Sequence, residues 1–240
     1  MRPFTNVVKT CVLLAGFAGV VAAPIPAAGA NEAPARGGAG YVMIGGSLLD
    51  LDGLNAALRR GGYSRFHGSF LTAGIGGHAF IGSLILGVEG QMLMERRGAN
   101  VGSKTALSGG CGFFDIGYVA YSESGFMIYP LLGIGAGAIN MKIMGREAAS
   151  FEEILVDTGR SVRLQTSGFL MHFALGADQW LGSVRRNGRR GFFIGIRAGY
   201  AFAPVKSGWE LGGTEIEGGP KVGWTGPYVR VSIGVGSRIP

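Results

Sequence analysis

The chain has 240 residues, 46 of them Gly, with 47 % apolar and only 15 % charged residues, and a formal net charge of +7. That is too apolar for a disordered chain, its glycines lack the three-residue period of collagen, and their number disfavours a bundle of long packed helices. A single all-β barrel fits this length as one domain.

Taken from the amino terminus, Arg2 and Lys9 precede the apolar stretch TCVLLAGFAGVVAA (10–23), and AGA (28–30) supplies small residues before Asn31. This order predicts a secretory signal over 1–30, cleaved after Ala30, then a flexible leader over 31–38 and a barrel domain over 39–240. Removal of Arg2 and Lys9 leaves 20 basic against 15 acidic residues, a charge of +5. Cys11 departs with the signal, so Cys111 remains alone and no intrachain disulfide or cysteine-based metal site is expected. The histidines His67, His78 and His172 have no metal-ligand spacing. Neither metal nor cofactor is expected.

The mature chain then divides into period-two segments separated by Gly, Ser, Asn and Pro clusters. Strands are predicted near 39–48, 68–81, 83–96, 104–122, 125–142, 166–181, 191–204 and 226–237. The connectors at 82–83, 122–125 and 182–190 are short or moderate, whereas those at 49–67, 97–103, 143–165 and 205–225 are mostly longer. An even number of strands with short turns on one side and long loops on the other is the pattern of an outer-membrane meander. In the first long connector, DLDG (50–53) lacks a glutamate at the twelfth position of a calcium loop, where Gly61 stands. It reads better as Asp52 capping a short helix, GLNAALRR, that ends at Gly61-Gly62.

Sorting each strand by parity gives two unlike faces. In LILGVEGQMLM (84–94), Leu84, Leu86, Val88, Met92 and Met94 oppose Gly87, Glu89 and Gln91. Leu71, Ile75 and Ile81 likewise oppose Thr72, Gly74 and His78, and Val229, Val231 and Ile233 oppose Arg230, Ser232 and Gly234. A water-facing surface would be dense in Lys, Glu and Thr, yet the polar face is mostly Gly with about one charge per strand. It therefore suits the crowded interior of an eight-stranded barrel, which side chains fill. Glu89, Asp115 and Asp178 are expected to meet Arg197 and Arg230 there, with His78 and His172 as neighbours, because a buried carboxylate needs a partner.

Aromatic residues collect at both ends of the strands. Phe80, Tyr121, Phe126, Trp180 and Phe192 fall beside the short turns, and Phe70, Phe169, Tyr200, Phe202 and Tyr228 fall near the long loops. Two girdles match two membrane interfaces. With its signal, alternation, loop asymmetry and girdles, the chain over 39–240 resembles the small outer-membrane β-barrels of Gram-negative bacteria, the OmpA/OmpX-like class. The resemblance implies an all-β, eight-stranded, antiparallel up-and-down transmembrane barrel in the outer membrane, with the short helix in its first outer loop. It also implies contact with outer-membrane lipid and with the barrel-assembly machinery. The ending GVGSRIP departs from the aromatic last residue common in that class.

Activity is less legible. GIGAGA (133–138) lacks the spacing of a dinucleotide loop and continues a strand, and Ser108, His172 and Asp178 show no triad spacing. Of the basic pairs, Arg59-Arg60 and Arg96-Arg97 lie in or beside outer loops, where arginine forks match lipopolysaccharide phosphates; Arg185-Arg186 and Arg189-Arg190 fall on the periplasmic side. Nucleic acid is not an expected partner of a secreted chain without interleaved aromatics. The expectation is a monomeric, non-enzymatic barrel with a structural or surface-interaction role and a filled lumen. The alternatives are a barrel enzyme acting on outer-membrane lipid and a soluble, lipocalin-like periplasmic binding barrel.

Overall fold

The computed structural model describes residues 36–100, 103–145, 161–182, 184–185 and 188–239. The predicted signal and most of the leader lie outside the described residues. Eight long strands appear in chain order: β1 (Arg36–Leu48), β2 (Ser69–Ile81), β3 (Leu84–Asn100), β4 (Ser103–Tyr118), β6 (Phe126–Gly145), β7 (Ser161–Leu181), β9 (Gly188–Lys206) and β12 (Gly226–Ile239). Short strands β5 (Tyr121–Glu123), β8 (Val184–Arg185), β10 (Trp209–Leu211) and β11 (Thr214–Ile216) extend the turns and loops, and one helix, α1 (Asp52–Arg60), follows β1. Each long strand pairs antiparallel with its sequence neighbour, and β1 pairs β12 from Arg36↔Ile239 to Ser47↔Tyr228, which closes the ring. The fold is an eight-stranded, all-β, up-and-down barrel with a short helix in its first loop.

Parity explains why these residues form these strands. Outward positions carry Val42, Leu71, Met92, Ile116, Leu132, Leu175, Ile194 and Val231, all exposed, with Leu132 at 69 % and Phe192 at 64 %. A continuous wall of exposed aliphatic side chains is stable only against hydrocarbon, and it encircles the barrel as a transmembrane band does. The short-turn side is tight: Ser124 and Gly125, both at positive φ, link β5 to β6 as a two-residue primed turn.

Three expectations change. The connector at 97–103 is not a long loop: β3 and β4 stay paired from Arg96↔Leu107 to Asn100↔Ser103, and a bulge between Leu93 and Arg96 lets β3 rise past the membrane band. Asp52 is not the cap of α1, because Leu51 holds that position; the Asp52 amide instead donates to Asp50 Oδ1 at 3.2 Å, and Asp52 sits in the first turn, where a carboxylate suits the helix dipole. The aromatic girdles are thinner than expected, because Phe80, Trp180, Phe70 and Tyr228 point inward and are buried. Tyr118, Tyr121, Phe126 and Phe192 mark the short-turn interface, and Phe169, Phe173 and Tyr200 face outward on the loop side.

The interior is more apolar than its glycines imply. On the loop side, α1 buries Leu54 and Leu58 against Leu107, Met141, Trp209 and Trp224, closing the outer mouth. The Asn55 side-chain amide clamps this plug, exchanging two 2.9 Å hydrogen bonds with the backbone of Phe66. On the short-turn side, Phe80, Ile85, Met127, Leu131, Trp180 and Phe193 form a second layer, with Trp180 and Phe193 stacked 5.1 Å apart. Charged groups lie between these two layers.

Candidate functional site

The charged layer is assembled from inward positions on all eight wall strands. Glu89 on β3 is 2 % exposed and divides its two oxygens between two cations: Oε2 accepts from Arg197 Nη1 on β9 at 2.6 Å, and Oε1 accepts from Arg230 Nη1 on β12 at 2.7 Å. Oε1 also accepts from Gln91 Nε2 at 2.9 Å. Two charge-assisted bonds on one carboxylate offset part of the desolvation of all three groups. The guanidinium carbon of Arg230 lies 3.7 Å from the Tyr228 ring centre, and that of Arg197 lies 5.4 Å from the Tyr41 ring centre, so aromatic faces supply further cation-stabilising contact.

A second group is built around His172 on β7. Its Nε2 lies 2.7 Å from Asp115 Oδ1 on β4, and its Nδ1 meets the Tyr228 hydroxyl on β12. The neutral tautomer that satisfies both donates from Nε2 to the carboxylate and accepts the tyrosine proton at Nδ1. His78 on β2 joins the arginine side: its Nε2 lies 3.1 Å from the Tyr41 hydroxyl and 3.3 Å from Arg197 Nη2. Asp178 is buried on β7 and bonds the Tyr129 hydroxyl of β6 instead of an arginine.

The structure thus brings Glu89, Arg197, Arg230, His78, Asp115 and His172 into one layer, with Asp178 at its margin through Tyr129. Gln91, which parity placed on the same face, also belongs to it, as do Tyr41 and Tyr129, which sequence reading did not single out. Glycines opposite these side chains make the room. A Cβ on Gly133 would lie 2.1 Å from His172 Nε2 and 2.4 Å from Asp115 Oδ1, and one on Gly195 would lie 2.1 Å from Asp178 Oδ1.

Ligand atoms of Glu89, Asp115 and His172 fall within 4.8 Å of one another. They do not fit a metal ion, because two guanidiniums already occupy both Glu89 oxygens and would repel another cation, while the His172 Nε2–H is given to Asp115. The Asp–His–Tyr chain resembles proton-relay chemistry, but apolar layers cover it from both rims. In this position it links β4, β7 and β12 mechanically.

The four arginines read as lipopolysaccharide contacts separate into three situations. Arg59 and Arg60 are exposed in the last turn of α1. Arg96 is half-buried with its guanidinium 5.8 Å from the Phe70 ring centre. Arg97 is exposed and bonds Glu95 at 2.6 Å. The loop between β9 and β12 forms an open depression of about 700 Å³ lined by Trp209, Glu210, Glu215, Glu217, Lys206 and Lys221.

No family model matches this chain, and no curated protein matches it. Among solved structures it is similar to Ail, the attachment invasion locus protein of Yersinia pestis, in complex with the heparin analogue sucrose octasulfate, at 10 % identity and a TM-score of 0.44 over 86 % of this chain and 99 % of that one. It is also similar to the outer membrane protease OmpT from Escherichia coli, at 8 % identity and a TM-score of 0.34 over 85 % and 94 % of the two chains. Likenesses this distant carry no functional conclusion. The closed ring, the outward aliphatic band and the sealed polar interior are those of a small outer-membrane β-barrel, and the outer membrane is its location.

Proposed function

We propose that the protein is a non-enzymatic, non-conducting barrel that serves as a rigid outer-membrane support for a surface-interacting loop side. The observation that carries this reading is the double closure of the lumen: α1 and the β9–β12 loop fill the outer mouth, and the Phe80–Trp180–Phe193 layer fills the other end. The charged layer between them is held by mutual pairing, which supports rigidity over transport or catalysis. Arg59 and Arg60, exposed on α1, are the first candidates for contact with lipopolysaccharide phosphates from above, and the barrel needs no second copy to complete its wall.

Planar-bilayer recording of the refolded chain tests this reading. The expected result is heat-modifiable, membrane-inserted protein with no large steady conductance. Reproducible nanosiemens openings from the same preparation would overturn the filled-lumen reading.

A further inference from the structure

The arginines of the short-turn side take no part in the lumen network, yet strand register gathers them. β8 pairs β9 with Arg185 opposite Gly188, and β9 pairs β12 with Arg189 opposite Arg238 and Arg190 opposite Ser237. Arg36, exposed, opens β1 one residue before Gly37, the partner of Arg238. Five arginines thus share the ends of four adjacent strands, a span of about 14 Å at the usual strand spacing. They lie beyond the membrane band. Phe192 marks the short-turn interface on the outward face, and Arg189 stands three residues, about 10 Å, further from the bilayer along β9. Among the described residues this side carries one exposed carboxylate, Glu123 on β5, which accepts from the Tyr121 hydroxyl and is separated from β9 by β6 and β7.

We propose that this arginine cluster binds the carboxylate-bearing peptides of the periplasmic cell wall and so tethers the barrel to it. Arg189 and Arg238 are direct register partners, and like charges opposite one another in an antiparallel pair repel. An anion seated across both replaces that repulsion with charge-assisted bonds, and the guanidinium fork matches a carboxylate. Parity distinguishes the occupant. The Arg189 position shares the face of buried Phe193, and the Arg238 position that of Ser232 and Gly234, so both belong to the lumen side of the wall, over the periplasmic mouth. A polymer lying beneath the barrel meets these positions, whereas a phospholipid headgroup at the circumference meets only the outward positions Arg36 and Arg190. Cell-wall peptides carry free carboxylates at repeating intervals, so exposed contacts that are weak singly give retention when several are made at once. The proposal rests on the outer-membrane placement, and neither the filled lumen nor the loop side bears on it.

The test mixes the full chain, refolded in a zwitterionic detergent, with purified Gram-negative cell-wall sacculi and sediments them, while heat-modifiable migration reports folding separately. The wild type should sediment with the sacculi and should bind about tenfold more weakly once their carboxyl groups are converted to amides, the loss of about one charge-assisted contact. This arm needs no variant. Arg189→Gln with Arg238→Gln should weaken binding to untreated sacculi by a similar factor and leave folding intact, whereas Lys104→Gln with Lys221→Gln, which removes the same charge from exposed positions on the loop side, should not. Absence of co-sedimentation, equal binding to amidated sacculi, or an equal loss from the two double variants overturns the proposal. Retention of phosphatidylglycerol that depends on Arg189 and Arg238, without binding to sacculi, assigns the cluster to the lipid surface and also overturns it. Failure of the wild type to show heat-modifiable folding in detergent overturns the membrane reading itself and the proposal with it.

Discussion

Replacing Glu89 with Ala removes the one group that neutralises two buried guanidiniums at once. Its two bonds, 2.6 Å to Arg197 and 2.7 Å to Arg230, are both charge-assisted, worth about 1.5–3 kcal/mol each. Breaking a buried pair from one side costs about 3–5 kcal/mol, and here two cations are stranded, so a loss of about 3–6 kcal/mol is expected from the sum of the two bonds. The contact of Arg230 with Tyr228 survives the change and keeps the loss from growing further. Denaturant unfolding in detergent or lipid, followed by tryptophan fluorescence, gives the magnitude. Adding Arg197→Met or Arg230→Met to Glu89→Ala should recover part of the loss, and Glu89→Met with both arginines changed to Met should be more stable than Glu89→Ala alone, because apolar side chains need no partner. A neutral Glu89→Ala, or effects that simply add with those of both arginine variants, would refute the network as the lock of the barrel.

Two further substitutions separate the inner and outer faces. Val88→Arg turns a cation towards lipid beside Glu89 on the same strand and should cost about 2–4 kcal/mol near the midplane; unlike Glu89→Ala, it should not be rescued by removing Arg197, which the same unfolding assay checks. Gly133→Ala sets a methyl against His172 and Asp115; at the usual cost of overpacking, about 1–3 kcal/mol is expected, together with loss of the single set of His172 ring resonances in a nuclear magnetic resonance spectrum.

The barrel was largely legible because a transmembrane strand shows its period of two at every residue. Parity placed Glu89, Asp115, Arg197 and Arg230 on the small-residue face without reference to any partner. Who bonds whom was not legible: β3 and β9 are separated by β2, β1 and β12, and contacts across the lumen depend on tilt and stagger, which no single strand encodes. That is why Asp115 turns out to hold His172, and Asp178 to hold Tyr129, when arginines were the expected partners. Tyr228 shows how two signals compete, since its position near a strand end pointed to the girdle while its shared parity with Arg230 pointed inward, and parity prevailed. The tight β3–β4 hairpin was hidden by a bulge, because one extra residue reverses the alternation beyond Leu93 and makes a continuing strand read as a loop.

The seam between β1 and β12 gives the interior network a role in time. Strand pairs such as β2–β3 form between neighbours in the chain, whereas Gly45 meets Arg230 only after everything between them is in place. Contacts of such separation are entropically late, and until they form, β1 and β12 are open edges able to recruit foreign strands. Arg230 rides on the closing strand and rests over Gly45, where a Cβ would lie 2.8 Å from its Cγ. Arg197 and Arg230 are register partners on adjacent strands and both reach Glu89 across the lumen, so an open sheet leaves Glu89 without either cation and zipping the seam supplies both. Closure and neutralisation become a single event, so half-shut forms are penalised and the finished cylinder is left without a stable way to gape.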